Sequence, residues 1–348
     1  MIQDDFNLSK YDFTFPQELI AQEPATKRDN SKLLVIDRKT SSFSKKRFSE
    51  ITNLFKPGDL LVLNDTKVIK ARLKAKRSSG GKVEVFLLKE IQPGVWQVLL
   101  KPGKRIKINE RIFFEDSPIT ATINETNQQG SWSITFSQKN IEPLISSLGQ
   151  VPLPPYIKKP LTAETQYQTV YAENQGAVAA PTAGFHFTPK LLNDLKKIGV
   201  EIVFITLHCG LGTFRPVKST DIRKHSMHSE WVSLSAEAAE KINAAKLSKR
   251  RVIAVGTTSI RTLESVADKS KNHDKLLSPF SGETDFYIYP GYSFKVIDAV
   301  ITNFHTPCST NLILISTFAG IDLIKQSYDY AIENRFRFFS FGDSMFII

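Results

Sequence analysis

Two textures alternate along the chain. Near its start and again after about residue 150, apolar runs of about four residues are separated by glycine, proline and small polar residues. Such runs, bounded by turn signals, predict buried strands at 33–36 and 60–63, with turns at Pro57-Gly58 and an extended approach at Pro24. After Thr188, Leu191, Leu192, Leu195 and Ile198 recur at helical spacing. Thr188 is placed to cap that helix, Pro189 to start it and Gly199 to end it. Strands follow at 201–206 and 251–255, and helices after Ser235, from Gly256 through Val266, at 310–319 and at 323–334. Two further strands are expected at 286–289 and 294–301, joined by Pro290-Gly291. Strands alternating with helices predict an α/β domain.

Between Val68 and Gly149 the pattern changes. Ile119, Ala121 and Ile123 alternate with polar residues, as do Trp132, Ile134 and Phe136. Turns recur about every ten residues, at Gly80-Gly81, Pro93-Gly94 and Pro102-Gly103. Period-two alternation with frequent turns describes a small antiparallel barrel or sandwich. The expected organisation is an α/β catalytic domain with a mixed or barrel-like sheet, formed by 1–67 and 151–348. A β-barrel domain, 68–150, is inserted in it, and the proline-rich VPLPPY returns the chain to the first domain.

The chain has 348 residues and a net charge of +11. That surplus favours an anionic partner, and its clustering points to nucleic acid. Arg72, Lys74, Lys76, Arg77, Lys104 and Arg105 form the expected phosphate-tracking surface. No apolar run is long enough to cross a bilayer, the N-terminus lacks a signal-peptide core, and the two cysteines cannot make a disulfide scaffold. A cytoplasmic monomer with no membrane association is expected.

Four of the six histidines, His186, His208, His225 and His228, fall between Gly176 and Glu230. Histidine is the default proton carrier near neutral pH, and nearby glycines let backbone N–H groups approach a ligand. Any one of these histidines is more often structural; their clustering favours a site. Gly256-Thr257-Thr258-Ser259 leaves a strand and opens a helix, an arrangement that suits an anion, with Arg261 nearby. Gly210 and Gly212 lack the third glycine of a dinucleotide fingerprint but can turn the chain tightly. HSMHSE resembles a zinc-ligand spacing. A histidine oriented by Glu230 is favoured over a metal, and no metal is expected.

Taken together, these motifs resemble one family, the S-adenosylmethionine:tRNA ribosyltransferase-isomerases of queuosine synthesis. The likeness runs end to end, through YDFTFPQELIAQEPATKRDNSKLLV, PGDLLVLNDTKVIKARL, GGKVEV, VPLPPYI, YQTVYA, GAVAAPTAGFHFT, TLHCGLGTFRPV, HSMHSE, AVGTTSIRTLE, TNFHTPCST and FRFFSFGDSM. Departures from the usual pattern are Phe185, Cys209, Thr306, Asn311, Phe336 and Phe341, the last two removing hydroxyls. The resemblance implies transfer and isomerisation of the ribosyl moiety of S-adenosylmethionine onto 7-aminomethyl-7-deazaguanine at the tRNA wobble position. Epoxyqueuosine-tRNA forms, and adenine and methionine are released. S-adenosylmethionine is then a consumed co-substrate, and no cofactor is bound.

Under that chemistry the expected proton carriers are His186, His208, His228 with Glu230, and His305. Gly210, Gly212, Gly256, Thr257, Thr258, Arg261, Asn303, Phe304 and Asp343 are expected to hold the substrate. Arg261 and the helix start would take the methionine carboxylate, Asp343 or Asp65 the ammonium, and Phe304 or Phe339 would stack on a base. Two rival classes remain: an RNA-binding module without turnover, and a zinc hydrolase built on His225, His228 and Glu230.

Overall fold

A computed structural model describes residues 4–103, 106–126, 130–210, 212, 216–269 and 275–348. It divides into two compact units, one of Met1–Lys67, Pro154–Asn174 and Ala180–Ile348, the other of Val68–Leu153 with Gln175–Ala179.

In chain order the strands and helices are β1 (Lys32–Asp37), β2 (Ser42–Arg47), β3 (Leu60–Asn64) and β4 (Thr66–Val68). Next come β5 (Arg72–Arg77), β6 (Lys82–Gln92), β7 (Val95–Lys101), β8 (Arg111–Phe113), β9 (Thr120–Thr126), β10 (Trp132–Phe136) and α1 (Glu142–Leu148). The chain continues through β11 (Asn174–Ala177), α2 (Pro189–Lys197), β12 (Glu201–Leu207), β13 (Glu230–Leu234), α3 (Ala236–Leu247), β14 (Val252–Val255) and α4 (Gly256–Lys269). It ends with β15 (Phe280–Thr284), β16 (Ala299–Asn303), α5 (Thr310–Ala319), α6 (Ile321–Glu333) and β17 (Ser344–Ile347).

The first unit is built on a mixed nine-stranded sheet in the order β15-β13-β12-β3-β14-β16-β17-β1-β2. Its centre, β12-β3-β14-β16, is parallel. All five residues of β3 and all four of β14 are buried. Alternate residues feed opposite faces: Leu60 and Val62 join one apolar cluster with Ala254 and Val300, while Leu61 and Leu63 join another with Ile253 and Val255. Continuous apolar runs are what a sheet covered on both faces requires. The helix caps follow the sequence: Thr188, Ser235 and Ser309 each accept a backbone N–H three residues on.

No strand forms at 286–289, and the strand expected at 294–301 starts late, as β16 from Ala299 to Asn303. A residue from α4 accounts for the late start. Glu264, fully buried, accepts the backbone N–H groups of Lys295, Val296 and Ile297 and the hydroxyl of Tyr292. One carboxylate thus satisfies donors that a strand would have paired with a neighbour. Phe286, Tyr292 and Phe294 pack edge-on in the intervening turns.

The second unit is a closed six-stranded antiparallel barrel, β10-β7-β6-β5-β8-β9. Along β5, Leu73 and Ala75 are buried while Lys74 and Lys76 are exposed, the period of two that the sequence predicts.

Candidate functional site

Four parallel strands share one direction, so their C-terminal ends share one edge of the sheet, where ligand crevices form in open α/β folds. The segments leaving those ends are Asp65-Thr66, His208-Cys209, Gly256-Thr257-Thr258 and Phe304-His305. Cys209, Gly256, Thr257, Thr258, Asn303, Phe304 and His305 line a cavity of about 290 Å³.

Gly256 makes the strand-to-helix switch. Its φ is +82°, a left-handed conformation that a side chain disfavours. α4 therefore starts directly at the sheet edge, with its first N–H groups at the cavity. Thr258 stands in that first turn, 8% exposed, and its hydroxyl has no hydrogen-bond partner among the described residues. An orphaned buried hydroxyl at a helix N-terminus is an unmet donor suited to an anion.

Arg261 is one turn further on, and the structure commits it elsewhere. Its guanidinium pairs with Glu230, and its Nε donates to the carbonyl of Phe286. Both side chains are almost fully buried, while Arg261 Nη2 lacks a partner among the described residues. The other oxygen of Glu230 accepts the Gly210 N–H at 2.7 Å. Glu230 thus ties the turn after β12 to α4. This corrects two expectations: Glu230 orients an arginine and a glycine rather than a histidine, and Arg261 is not a free grip for a carboxylate. The zinc alternative loses its carboxylate to the same pair. Among the described residues no group of three histidine, cysteine or acidic side chains is arranged to hold a metal.

The histidines divide. His305 lines the cavity, half-buried. Its Nε2 meets the hydroxyl of Thr302 at 2.9 Å and its backbone N–H donates to Tyr328. Desolvation holds its pKa down to about 3, so it is neutral. His186 is buried behind the cavity wall. Asn303 Nδ2 faces the carbonyls of Phe339 and Asp343 as well as His186 Nε2 at 3.2 Å, so that ring nitrogen accepts. Nδ1 then carries the proton and donates to Ser31 Oγ at 2.7 Å. Burial first, and then the cations Arg337 and Arg28, push His186 down to about 3. Its hydrogen bonds fix Asn303, whose Oδ1 accepts the Thr182 hydroxyl. His186, expected as a proton carrier, has both ring nitrogens engaged and is buried, which makes it a positioning group here.

His208 does not line the cavity. It stacks on Trp231 at 4.9 Å, bonds Thr66 through Nδ1, and has a pKa lowered by desolvation against the opposing field of Asp65. The ring of His228 packs against Gly212, where a Cβ would meet it at 2.6 Å, so only glycine fits there. His225 meets Tyr287 edge-on.

Two more expectations change. The Phe304 ring is 1% exposed and packs among Tyr328, Phe336 and Phe338, so it belongs to the core. Asp343 is no free anion. Its carboxylate accepts the backbone N–H groups of Lys32 and Arg337, clamping the 337–343 turn, although burial raises its pKa. Asp65 accepts the Thr206 hydroxyl. Sequence patterning passed over Tyr156 and Ser340, joined at 2.7 Å, which line the cavity with Phe339. Phe339 has φ +69°, a strained value for a side-chain-bearing residue and a mark of functional walls. Phe336 and Phe341, the two positions lacking a hydroxyl, are both buried; Phe341 packs on Phe185 and Tyr167.

On the barrel, Lys74 is exposed and makes no ion pair among the described residues. Lys76 pairs with Glu115. Arg77 is held by Glu110 through two hydrogen bonds, and Arg72 is half-buried beside Glu84 and the Phe86 ring. Arg77 is therefore structural. Lys104 and Arg105 lie outside the described residues.

A family model described as "Queuosine biosynthesis protein" matches residues 8–347. A protein of Caldanaerobacter subterraneus subsp. tengcongensis named S-adenosylmethionine:tRNA ribosyltransferase-isomerase is 51% identical over 98% of this chain and 99% of its own. One of the same name from Acetivibrio thermocellus is 49% identical over the same shares. The crystal structure of S-adenosylmethionine tRNA ribosyltransferase from Thermotoga maritima aligns with TM-score 0.57 and 34% identity, over 97% of this chain and 100% of that one. The chain belongs to the S-adenosylmethionine:tRNA ribosyltransferase-isomerase family of queuosine biosynthesis enzymes.

Proposed function

We propose that the chain transfers and isomerises the ribosyl moiety of S-adenosylmethionine onto 7-aminomethyl-7-deazaguanine at the tRNA wobble position. Epoxyqueuosine-tRNA forms, with adenine and methionine released. The observation that carries this reading is the α4 start: a helix N-terminus and the unpartnered Thr258 hydroxyl meet at the sheet edge beside a neutral histidine. In this reading the methionine carboxylate sits at Gly256–Thr258.

The sulfonium acidifies the adjacent 5′ C–H, and a neutral base must remove that proton. His305 lines the cavity, and that position supports it as the base; the desolvation that keeps it neutral weakens its basicity, so the substrate's charges have to raise it. The aminomethyl nitrogen attacks as the free amine, and the departing adenine needs a proton; of the expected carriers His228 is the remaining candidate, since His208 is stacked on Trp231 away from the cavity. His186 fixes Asn303 in the wall. Lys74, exposed and outside any ion pair among the described residues, would meet RNA phosphates, which needs no base contact. No bound cofactor is required, and the enzyme would act as a monomer in the cytoplasm, where tRNA is.

The test is adenine release from S-adenosylmethionine with tRNA carrying the modified base, against unmodified tRNA. Adenine formed only with the modified tRNA supports the reaction. Tight tRNA binding with no adenine would leave an RNA-binding protein.

A further inference from the structure

A second cavity, of about 520 Å³, lies in the same unit. Its volume falls within the range of roughly 300–1,000 Å³ common for ligand clefts. It adjoins the first through a thin partition: Ser340 lines both, and the hydrogen-bonded pair of His186 and Asn303 contributes one residue to each. Phe185 and Phe341, stacked at 6.1 Å, line it, and the Arg28 guanidinium lies over Phe185. Nothing in the steps above uses this cavity.

Its rim is cationic. Lys27 is exposed beside the lining residues Thr26 and Arg28. Lys158 and Lys159 are brought there by the Lys158 N–H to Gln22 and by the Lys159–Glu23 ion pair. Arg337 donates to the Glu23 carbonyl. Arg28 and Arg337 both bear on His186 in the cavity wall. Positive charge around an aromatic-lined hollow fits a nucleotide, with phosphates outside and the base within. The polar groups narrow the choice of base. Gln166 spends its Oε1 on the backbone N–H of Thr162 and makes no hydrogen bond through Nε2 among the described residues, and Glu23, whose Oε1 pairs with Lys159, has its other carboxylate oxygen at the mouth. A guanine-type Watson–Crick edge has one acceptor, O6, beside two donors, N1–H and N2–H, complementary to that amide and that carboxylate.

We propose that this cavity receives the wobble nucleobase of the tRNA, turned out of its stack, and passes its aminomethyl arm by Ser340, the residue that lines both cavities, to S-adenosylmethionine. The assignment rests on the ribosyl-transfer reading above. Enzymes that act on a base commonly extrude it into such a pocket. Here the two substrates would occupy separate hollows and meet at one wall.

The test fills the cavity from its rim. In Ala25→Trp, kcat/KM for an anticodon stem-loop carrying 7-aminomethyl-7-deazaguanine falls about 10- to 100-fold, the range for losing one stacked base. The Kd for S-adenosylmethionine, measured by calorimetry, stays within about twofold. Glu23→Gln lowers stem-loop affinity in the same direction. A fold-independent measurement uses the unaltered protein: hydrogen exchange slows at 24–28 on adding the stem-loop and at 256–259 on adding S-adenosylmethionine. Loss of S-adenosylmethionine binding in Ala25→Trp, or unchanged exchange at 24–28 with the stem-loop bound, overturns the assignment. Adenine release by the unaltered protein is the control. If it is present, such results refute only the cavity's role; if it is absent, the reaction itself is refuted.

Discussion

The sheet edge of the α/β unit and the outer surface of the barrel both carry the polar residues that sequence patterning marks as functional, but they hold them differently. At the sheet edge the groups are buried and fixed: Glu230 between Arg261 and Gly210, His186 between Ser31 and Asn303, Asp343 between two backbone N–H groups. On the barrel the cations are mostly exposed, and several are neutralised by nearby carboxylates. The difference teaches that preorganisation and charge are separate resources. A site that directs a reaction needs fixed groups in low dielectric. A surface that tracks phosphates needs only free positive charge, and exposed ion pairs reduce it at little gain in stability.

The largest effect should come from breaking the fixed side. Arg261→Leu leaves the Glu230 carboxylate buried without its partner and should cost about 3–5 kcal/mol, read from urea unfolding. A loss under 1 kcal/mol would mean the pair is not holding the turn after β12.

Acid should expose the same contrast. His186 and His305 have folded-state pKa values of about 3, below the ordinary 6.5. Between those values the unfolded chain binds more protons than the native one, so each histidine lowers stability as pH falls from 6.5 towards 3. In His186→Gln the slope of stability against pH should shrink in that window by about 1.4 kcal/mol per pH unit, one proton's worth. An unchanged slope would mean His186 is not held neutral by burial.

Thr258→Val tests the orphaned hydroxyl alone. It removes no hydrogen bond within the protein, so stability should hold, while affinity for S-adenosylmethionine drops about tenfold, the worth of one hydrogen bond to a charged group. Calorimetry on the folded variant distinguishes the two effects.

The smallest effect belongs to the barrel. Lys74→Ala should weaken tRNA binding a few-fold and flatten the dependence of log K on log salt by about one. Arg77→Ala should instead lower the barrel's stability through the lost Glu110 pair, leaving the salt dependence alone. Reversed results would undo the distinction between free and neutralised cations.

Much of the architecture was legible because it rests on local patterning. Buried runs such as those around Leu61 and Ile253 announce a covered parallel sheet, and the alternation through Leu73 and Ala75 announces the barrel. Gly256, Thr257, Thr258, Asn303 and His305 are marked because they are polar or glycine positions at strand ends and match the family's motifs; that they share one cavity is given by the strand order. What patterning does not reveal is which groups spend their hydrogen-bonding capacity on each other. Arg261 and Glu230 are 31 residues apart in sequence, and His186 and Asn303 are 117 apart. Only the fold makes them partners, and that partnership turns a proposed ligand grip into a brace and a proposed proton carrier into a positioning group. The late start of the strand expected at 294–301 has the same origin, since one buried carboxylate, Glu264, takes the backbone donors of 295–297.

The central claim is that the carboxylate of S-adenosylmethionine rests at the start of α4. Calorimetry with S-adenosylmethionine and with its decarboxylated analogue, on the unaltered protein and on Thr258→Val, tests it most directly. The account predicts that the unaltered protein binds the decarboxylated analogue about tenfold or more weakly, and that the gap narrows in Thr258→Val. Equal affinity for the two ligands would put the carboxylate elsewhere and contradict it.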